Sequence, residues 1–135
     1  MKKTALTKKD EQLIQLALVT IQQNFDQTHF NHTVGCALRT EDGQVFTGVN
    51  CDGIHGACAE YVTVGTASAQ GQRAFDTIVA VHPEVPEYVL APCGNCRQMM
   101  IEYCPDIQVI LKDECGQLIK TTARELLPLA NELLN

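Results

Sequence analysis

Three cysteines and one glutamate stand in two short segments of the 135-residue chain, at spacings that suit metal chemistry. Cys93 and Cys96 form a Cys-x-x-Cys pair within LAPCGNCRQMM, and Cys58 and Glu60 lie upstream within HGACAEYV. A Cys-x-x-Cys pair at the start of a helix can grip one metal ion, and the positive end of the helix dipole helps to keep both sulfurs deprotonated. The pattern therefore indicates a site for metal or thiol chemistry.

Alone, the Cys-x-x-Cys pair fits three kinds of site: a redox dithiol, half of a structural zinc site, or part of a catalytic zinc site. Cys58 favours the third kind, because it also stands where a helix is expected to begin. A structural zinc site usually has four Cys or His ligands, and none stands at the customary spacing from Cys58. Three protein ligands leave the fourth position for water, which is the catalytic arrangement.

Glu60 follows Cys58 by two positions. Residues i and i+2 do not share a helix face, so we expect Glu60 to flank the metal rather than to bind it beside Cys58. A carboxylate next to activated water is a natural proton shuttle. The plainer alternative is a solvated first-turn glutamate that only favours the helix dipole.

The elements that must position these residues follow an α/β order. Residues 7–10 (TKKD) resemble a helix capping box, and apolar residues then recur at helical spacing to about Phe25. A β-hairpin with an Asp-Gly turn is predicted within residues 33–50. The remaining predicted elements are a helix at 58–70, a strand at 76–83, a helix at 91–104, a strand at 107–113 and a helix at 121–134 interrupted at Pro128. This order predicts a three-layer α-β-α sandwich with a mixed sheet, as a single domain over residues 1–135.

Composition and charge narrow the function classes. The net charge is −6 and the lysines and arginines are scattered, which argues against nucleic-acid polymers and acidic membranes as partners and favours a neutral or cationic small molecule. No apolar run reaches the length that spans a bilayer, and MKKTALTKKDEQ lacks a signal-peptide core, so we expect a cytoplasmic protein. The seven cysteines are an odd number, which argues against a disulfide framework.

The two segments together carry a resemblance. Cys-Ala-Glu at 58–60, followed by PCGNCRQ at 92–98, resembles the signature of the zinc-dependent cytidine deaminase superfamily. A cysteine as the first ligand is similar to the free-nucleoside branch, which comprises cytidine deaminase and blasticidin-S deaminase, and TVGCAL, GQVFTGVN and VILKD extend the resemblance over nearly the whole chain. The resemblance implies a mixed five-stranded sheet, a homotetramer with shared active sites, and one zinc ion per chain on Cys58, Cys93 and Cys96.

The resemblance also implies a reaction, namely hydrolytic deamination at C4 of a cytosine ring in a free nucleoside or nucleoside antibiotic, with release of ammonia. Glu60 would carry protons from water to ring N3 and to the departing ammonia. Three thiolates on Zn²⁺ leave a net negative charge, and Arg97 is expected to offset it by donating a hydrogen bond to sulfur, unless it is an ordinary surface residue of its helix.

The residues implied in substrate binding depart from the cytidine deaminase pattern Gly-x-Asn-x-Glu-Asn, whose Asn and Glu hold the ribose. Asn50 matches the Asn, although it could also be a turn residue at the end of a strand, and Asp52 is one methylene shorter than the Glu. The stretch from Asn50 to Cys58 is short, as in blasticidin-S deaminase, and His32 and Asn131 stand where the family has aromatic residues. These departures favour a nucleoside antibiotic, or another aminated base, over cytidine.

Two other function classes stay open at this point. One is a catalytically silent zinc-binding module, and the other is a thiol oxidoreductase that uses Cys93 and Cys96. Neither class gives a role to Glu60 beside Cys58. Zinc stoichiometry measured together with ammonia release from cytosine compounds separates all three.

Overall fold

The computed structural model describes residues 1–84 and 89–132, in which helices cover both faces of one mixed sheet. The helices are α1 (Lys8–Asn24), α2 (Ala59–Ala69), α3 (Gly94–Tyr103) and α4 (Ala123–Leu126). The strands are β1 (Gly35–Thr40), β2 (Val45–Val49), β3 (Phe75–Val81), β4 (Val89–Leu90), β5 (Gln108–Lys112) and β6 (Leu118–Thr122). The predicted three-layer α/β architecture is confirmed.

The sheet order is β2-β1-β3-β5-β6, and the short strand β4 pairs with β3. β1 runs antiparallel to β2 and β3, β3 runs parallel to β5, and β5 runs antiparallel to β6. The mixed sheet with five main strands therefore agrees with the prediction, and β4 adds a sixth strand in the described part of the chain. The hairpin turn is the predicted one, since Gly43 takes the positive φ of 89° that a glycine adopts without strain.

The C-terminal region differs from the helix predicted over 121–134. Thr121 and Thr122 belong to β6, where they pair with Val109 and Gln108 of β5. β-Branched residues suit a strand that has a partner available, and this tertiary pairing overrides the local helical pattern. The described helix is the four-residue α4, and residues 133–134 of the predicted helix lie outside the described residues.

Side chains alternate between two cores along the strands. In β1, Cys36 and Leu38 point towards α2, α3 and α4, whereas Ala37 points towards α1. Two glycines let the helices lie close to the sheet. A Cβ on Gly35 would come within 2.5 Å of a carbonyl oxygen of α1, and a Cβ on Gly48 would come within 2.5 Å of the Thr63 hydroxyl of α2. The helix that begins beside Cys58 is thereby fixed against β2.

A buried carboxylate anchors α1. Asp10 completes the predicted capping box with Thr7 and is fully buried, with its oxygens 2.9 Å from Arg39 Nη2 and 2.7 Å from Lys120 Nζ. Burial by itself raises the pKa of Asp10, but the hydrogen bonds from Lys120, Thr7 and Arg39 outweigh it and lower the pKa to about 2. Asp10 therefore joins the start of α1 to β1 and β6.

We expect Asp10→Asn to lower the free energy of unfolding at pH 7 by about 2 kcal/mol, because Lys120 loses the buried carboxylate that it pairs with and Arg39 keeps only Asp76. The folded pKa lies below the unfolded value of 3.8. The contribution of Asp10 is therefore full above about pH 4 and is lost as the pH falls through about 2, so the difference between wild type and variant should shrink over that window. Urea unfolding at a series of pH values measures this difference. Metal release at low pH affects both proteins equally, because they share the metal site, and so it cancels from the difference.

Asp106→Asn is the matched control. The Asp106 side chain is 82% exposed, and its carboxylate lies 3.6 Å from Arg124 Nε in an ion pair at the surface. It should change the free energy of unfolding by less than about 0.5 kcal/mol. Equal effects of the two substitutions, or a pH-independent effect of Asp10→Asn, would contradict the anchoring role of Asp10.

Candidate active site

The N-termini of α2 and α3 converge on one point. Cys58 is the N-cap residue of α2, Cys93 is the N-cap residue of α3, and Cys96 lies in the first turn of α3. The three Sγ atoms all lie within 4.8 Å of one another, and those of Cys58 and Cys93 are 3.7 Å apart. The prediction that three thiols meet where two helices begin is confirmed.

This sulfur geometry fits a zinc ion. In a tetrahedral site with Zn–S bonds of about 2.3 Å, two sulfurs lie about 3.8 Å apart, close to the 3.7 Å observed between Cys58 and Cys93. All three cysteines are free thiols, so no disulfide competes with the metal. Within residues 1–84 and 89–132, no fourth Cys, His, Asp or Glu joins the cluster. The site is therefore of the three-ligand type that leaves one metal position open.

The electrostatics of the cluster keep its thiols from ionising together unless a cation is bound. Burial raises the pKa of the Cys96 thiol far above its usual range, and the charges of Glu60 and Cys58 raise it further. Burial likewise raises the pKa of Cys58. Burial acts on Cys93 in the same sense, but the backbone N–H of Cys96, whose nitrogen lies 3.4 Å from the Cys93 sulfur, and the neighbouring thiols lower its pKa below the usual value. Only a bound cation lets all three thiols ionise together, and this is the charge that a zinc ion supplies.

Glu60 lies beside the thiols and is withdrawn from solvent. Its side chain is 6% exposed and lines the same cleft as Cys58 and Cys93, which excludes the alternative of a solvated helix residue. Burial raises the pKa of the Glu60 carboxyl. A buried carboxyl with a raised pKa, next to a metal site that has an open position, can both accept and return a proton.

The cleft in front of the thiols has a volume of about 650 Å³. It lies between the N-termini of α2 and α3, the ends of β3 and β4, and the loop that follows β2. Asp52 and Glu60 supply carboxylates to its wall, and no lysine or arginine of the described residues lines it. The cleft therefore favours neutral or cationic ligands over anionic ones.

Asn50 and Asp52, the residues implied in substrate binding, both line this cleft. Asn50 Oδ1 accepts a hydrogen bond from the Val34 N–H at 2.9 Å, so the Nδ2 end of the amide is left to donate. Asp52 Oδ2 accepts a hydrogen bond from the His32 N–H at 3.0 Å. The pair thus offers a donor and an acceptor on the wall beside the thiols.

Arg97 is placed differently from its predicted position beside sulfur. Its Nε donates to the Pro92 carbonyl at 2.8 Å and its Nη1 donates to the Leu126 carbonyl at 3.1 Å. The side chain runs back along α3 to the residue before Cys93, and from there it reaches the end of α4. The hydrogen bonds of Arg97 therefore fasten the thiol-bearing helix to the C-terminal region.

Sequence reasoning did not identify the contact between Tyr61 and Asn95. Tyr61 Oη donates to Asn95 Oδ1 at 3.3 Å, and both residues line the cleft. The contact joins α2 to α3 immediately beside the thiols. In the sequence, Asn95 stands inside the Cys-x-x-Cys pair and Tyr61 directly follows Glu60. Neither position indicates that the two side chains, which lie on different helices, contact each other.

Comparison with known proteins gives the family. Residues 7–112 match the cytidine and deoxycytidylate deaminase zinc-binding region. The chain belongs to this family. The blasticidin-S deaminase of Bacillus cereus is 37% identical over 138 residues, which cover 96% of each chain. The cytidine deaminase of Halalkalibacterium halodurans is 37% identical over 99 residues, which cover 70% of this chain and 74% of that one.

The fold comparison agrees. The crystal structure of cytidine deaminase from Burkholderia pseudomallei superposes with a TM-score of 0.73 at 36% identity, covering 93% of this chain and 100% of that one. The protein is thus a zinc-dependent hydrolytic deaminase, and the silent zinc module and the thiol oxidoreductase are not favoured. Among the described residues, none of the helices is both long enough and apolar enough to span a membrane.

We expect the deaminase to bind one zinc ion per chain through its three clustered thiols. Cys96→Ser should reduce the bound zinc to well below one per chain, because a serine hydroxyl does not replace a thiolate ligand. Cys115→Ser is the matched control, since Cys115 is exposed and outside the cluster. Elemental analysis after dialysis measures the stoichiometry. Full zinc in Cys96→Ser, or a fourth protein ligand in a zinc-loaded crystal structure, would contradict the open three-thiol site.

Proposed function

We propose that this deaminase removes the amino group at C4 of a cytosine ring in a free nucleoside or in a nucleoside antibiotic of the blasticidin S type. The products are the uracil compound and ammonia. The observation that carries the proposal is the convergence of Cys58, Cys93 and Cys96 beside the buried carboxyl of Glu60 in one cleft. A bound zinc ion supplies the activation of water for attack on the ring.

Glu60 moves the protons of this reaction. Its carboxylate accepts a proton from the attacking water and delivers it to ring N3. It then passes the second water proton to the departing amino group, which leaves as ammonia, so that one water is consumed for each ammonia released. The burial of Glu60 suits this role, because it raises the pKa of the carboxyl. A carboxyl with a raised pKa can hold the proton that it accepts from water until it delivers that proton to ring N3.

The sugar of the substrate is proposed to lie against Asn50 and Asp52. Asn50 Nδ2 donates to a sugar oxygen, and the Asp52 carboxylate accepts from a sugar hydroxyl. The support is that both side chains line the cleft and that the contact with Val34 leaves the donating end of the Asn50 amide available. Asp52 is also engaged by His32, so its reach towards a hydroxyl depends on the position of that residue.

The charge of the cleft favours unphosphorylated substrates. Asp52 and Glu60 line it, and none of the described lining residues is a lysine or arginine that could pair with a phosphate. An anionic nucleotide would therefore enter an acidic cleft without a counter-charge. A neutral nucleoside or a cationic antibiotic meets no such penalty.

The proposal includes a homotetramer, a single domain over residues 1–135 and a cytoplasmic location. Ile54 lies on the loop that follows β2 and is fully exposed, and Tyr61 in the first turn of α2 is also exposed. Exposed apolar side chains at the mouth of a cleft are suited to contact with a second copy of the chain. All seven cysteines are free thiols, which is typical of a reducing compartment.

Ammonia release from a substrate panel tests the proposed activity. The panel consists of cytosine, cytidine, 2′-deoxycytidine, deoxycytidine 5′-monophosphate and blasticidin S, each incubated with the zinc-loaded protein. We expect turnover of at least one unphosphorylated nucleoside and a much lower kcat/KM for the monophosphate. No ammonia from any compound would refute cytosine deamination, and a preference for the monophosphate would refute the charge argument.

Glu60→Gln should lower kcat by at least about 100-fold, because the amide keeps the shape of the side chain but cannot accept the proton. Zinc content and thermal stability should stay close to those of the wild type, since Glu60 is outside the thiol cluster. Glu102→Gln is the matched control, because Glu102 is an exposed residue of α3. Steady-state kinetics on the best panel substrate measure the effect. A Glu60→Gln rate within a few-fold of wild type would show that the proton passes through another group.

A further inference from the structure

We infer that His32 is a positioning residue that fixes both Asn50 and Asp52 and thereby sets the affinity of the cleft for a hydroxylated sugar. The inference rests on the proposed function. The His32 backbone N–H donates to Asp52 Oδ2 at 3.0 Å, and the His32 ring Nδ1 lies 2.8 Å from the Asn50 carbonyl oxygen. One residue thus contacts both members of the proposed sugar pair.

The ring contact determines the tautomer of His32. A carbonyl oxygen can only accept a hydrogen bond, so the proton must be on Nδ1 and the neutral ring carries its lone pair on Nε2. The Asn50 residue is then held at both ends, with its carbonyl oxygen bonded to His32 and its side-chain Oδ1 bonded to the Val34 N–H. This double attachment fixes the direction in which Nδ2 can donate.

The backbone at His32 takes a left-handed conformation that serves this contact. Its φ is 54°. A left-handed backbone is unfavourable in free energy for a residue that has a side chain, so this conformation persists only where the surroundings enforce it. The loop that precedes His32 holds the backbone in this conformation. Asp26 and Asn31 exchange backbone hydrogen bonds of 3.0 and 3.1 Å, and the rings of Phe25 and Phe30 pack edge to face with their centroids 6.0 Å apart.

The loop and the cleft wall are therefore mechanically linked through His32. Asp52 follows β2 by three positions and begins a turn that Cys51 and Ala57 close with backbone hydrogen bonds of 2.9 and 2.8 Å. Without the bonds from His32, this turn keeps its closure and Asn50 keeps its bonds with Val34, but the Asn50 carbonyl group and the Asp52 carboxylate lose the contacts that fix them beside the substrate. The loss should appear in sugar binding and not in the chemistry at the ring.

Two substitutions isolate the ring contact, because both residues tolerate a left-handed backbone. His32→Gly keeps the N–H that bonds Asp52 and removes the ring. His32→Asn also keeps the N–H, and its Nδ2 stands at the same number of bonds from the backbone as the histidine Nδ1. We expect His32→Gly to raise KM for cytidine about three- to tenfold with kcat changed less than about threefold, the range for loss of one hydrogen bond. His32→Asn should restore KM to near the wild-type value.

A substrate that lacks the 2′- and 3′-hydroxyls of the ribose separates positioning from general damage. For 2′,3′-dideoxycytidine, wild type and His32→Gly should have the same KM, or the same inhibition constant if turnover is slow. The inference is overturned if His32→Gly leaves KM for cytidine unchanged, if both substrates lose affinity equally, or if His32→Asn behaves like His32→Gly. If His32→Gly does not fold, His32→Asp takes its place, because aspartate tolerates a left-handed backbone and its carboxylate cannot donate to the Asn50 carbonyl.

A readout that is independent of turnover distinguishes failure of this inference from failure of the proposed function. Nitrogen-15 NMR of the zinc-loaded protein should show the His32 ring protonated on Nδ1 near neutral pH. A ring protonated on Nε2 would overturn the inference even if the enzyme deaminates cytidine. An Nδ1-protonated ring in a protein that deaminates no panel compound would leave the contact in place and refute the proposed function alone. In that case, binding of cytidine and dideoxycytidine to wild type and His32→Gly, measured by calorimetry, decides whether His32 sets affinity for the sugar.

Discussion

Three thiols and a carboxyl crowded into one small space cannot all ionise unless a cation lies among them, and most of the structure follows from this constraint. The sulfurs lie within 4.8 Å of one another, and Glu60 is buried beside them. Burial raises the pKa of Cys58, Cys96 and Glu60, and neighbouring charges raise the pKa of the two thiols further. A zinc ion would supply the positive charge that lets the three thiols ionise, so metal binding and thiol ionisation are coupled at the starts of α2 and α3.

The sheet and the helices bring these helix starts to one place. Gly48 lets α2 lie directly against β2, and Arg97 fastens the start of α3 to the end of α4 through two carbonyl groups. On the other face, the buried Asp10 fastens α1 to β1 and β6. The positions of the thiols thus depend on contacts that lie well outside the cleft, which is why a rigid fold surrounds a small reactive centre.

The two sides of the cleft are built in different ways. The thiols and Glu60 lie at helix starts, where backbone geometry is closely defined. Asn50 and Asp52 lie after β2 and depend on a few hydrogen bonds with Val34 and His32. A change in one of these bonds can alter this wall of the cleft while the metal side stays intact. The departures of this chain from the cytidine deaminase pattern fall on this second side.

The sequence by itself determined the features that depend on neighbouring residues. The capping box at Thr7, the Asp-Gly turn, and the metal-type spacing of Cys93 and Cys96 are local, so residue type and spacing were enough to predict them. The signature around Glu60 indicated the chemistry for the same reason.

Only the tertiary structure decided the contacts between distant segments. Thr121 became part of a strand because β5 offered it a partner, Arg97 bonded carbonyl groups instead of sulfur, and His32 came into contact with Asn50 and Asp52. Each of these outcomes depends on strand register and on the packing of elements far apart in the chain, and local propensity carries no information about either.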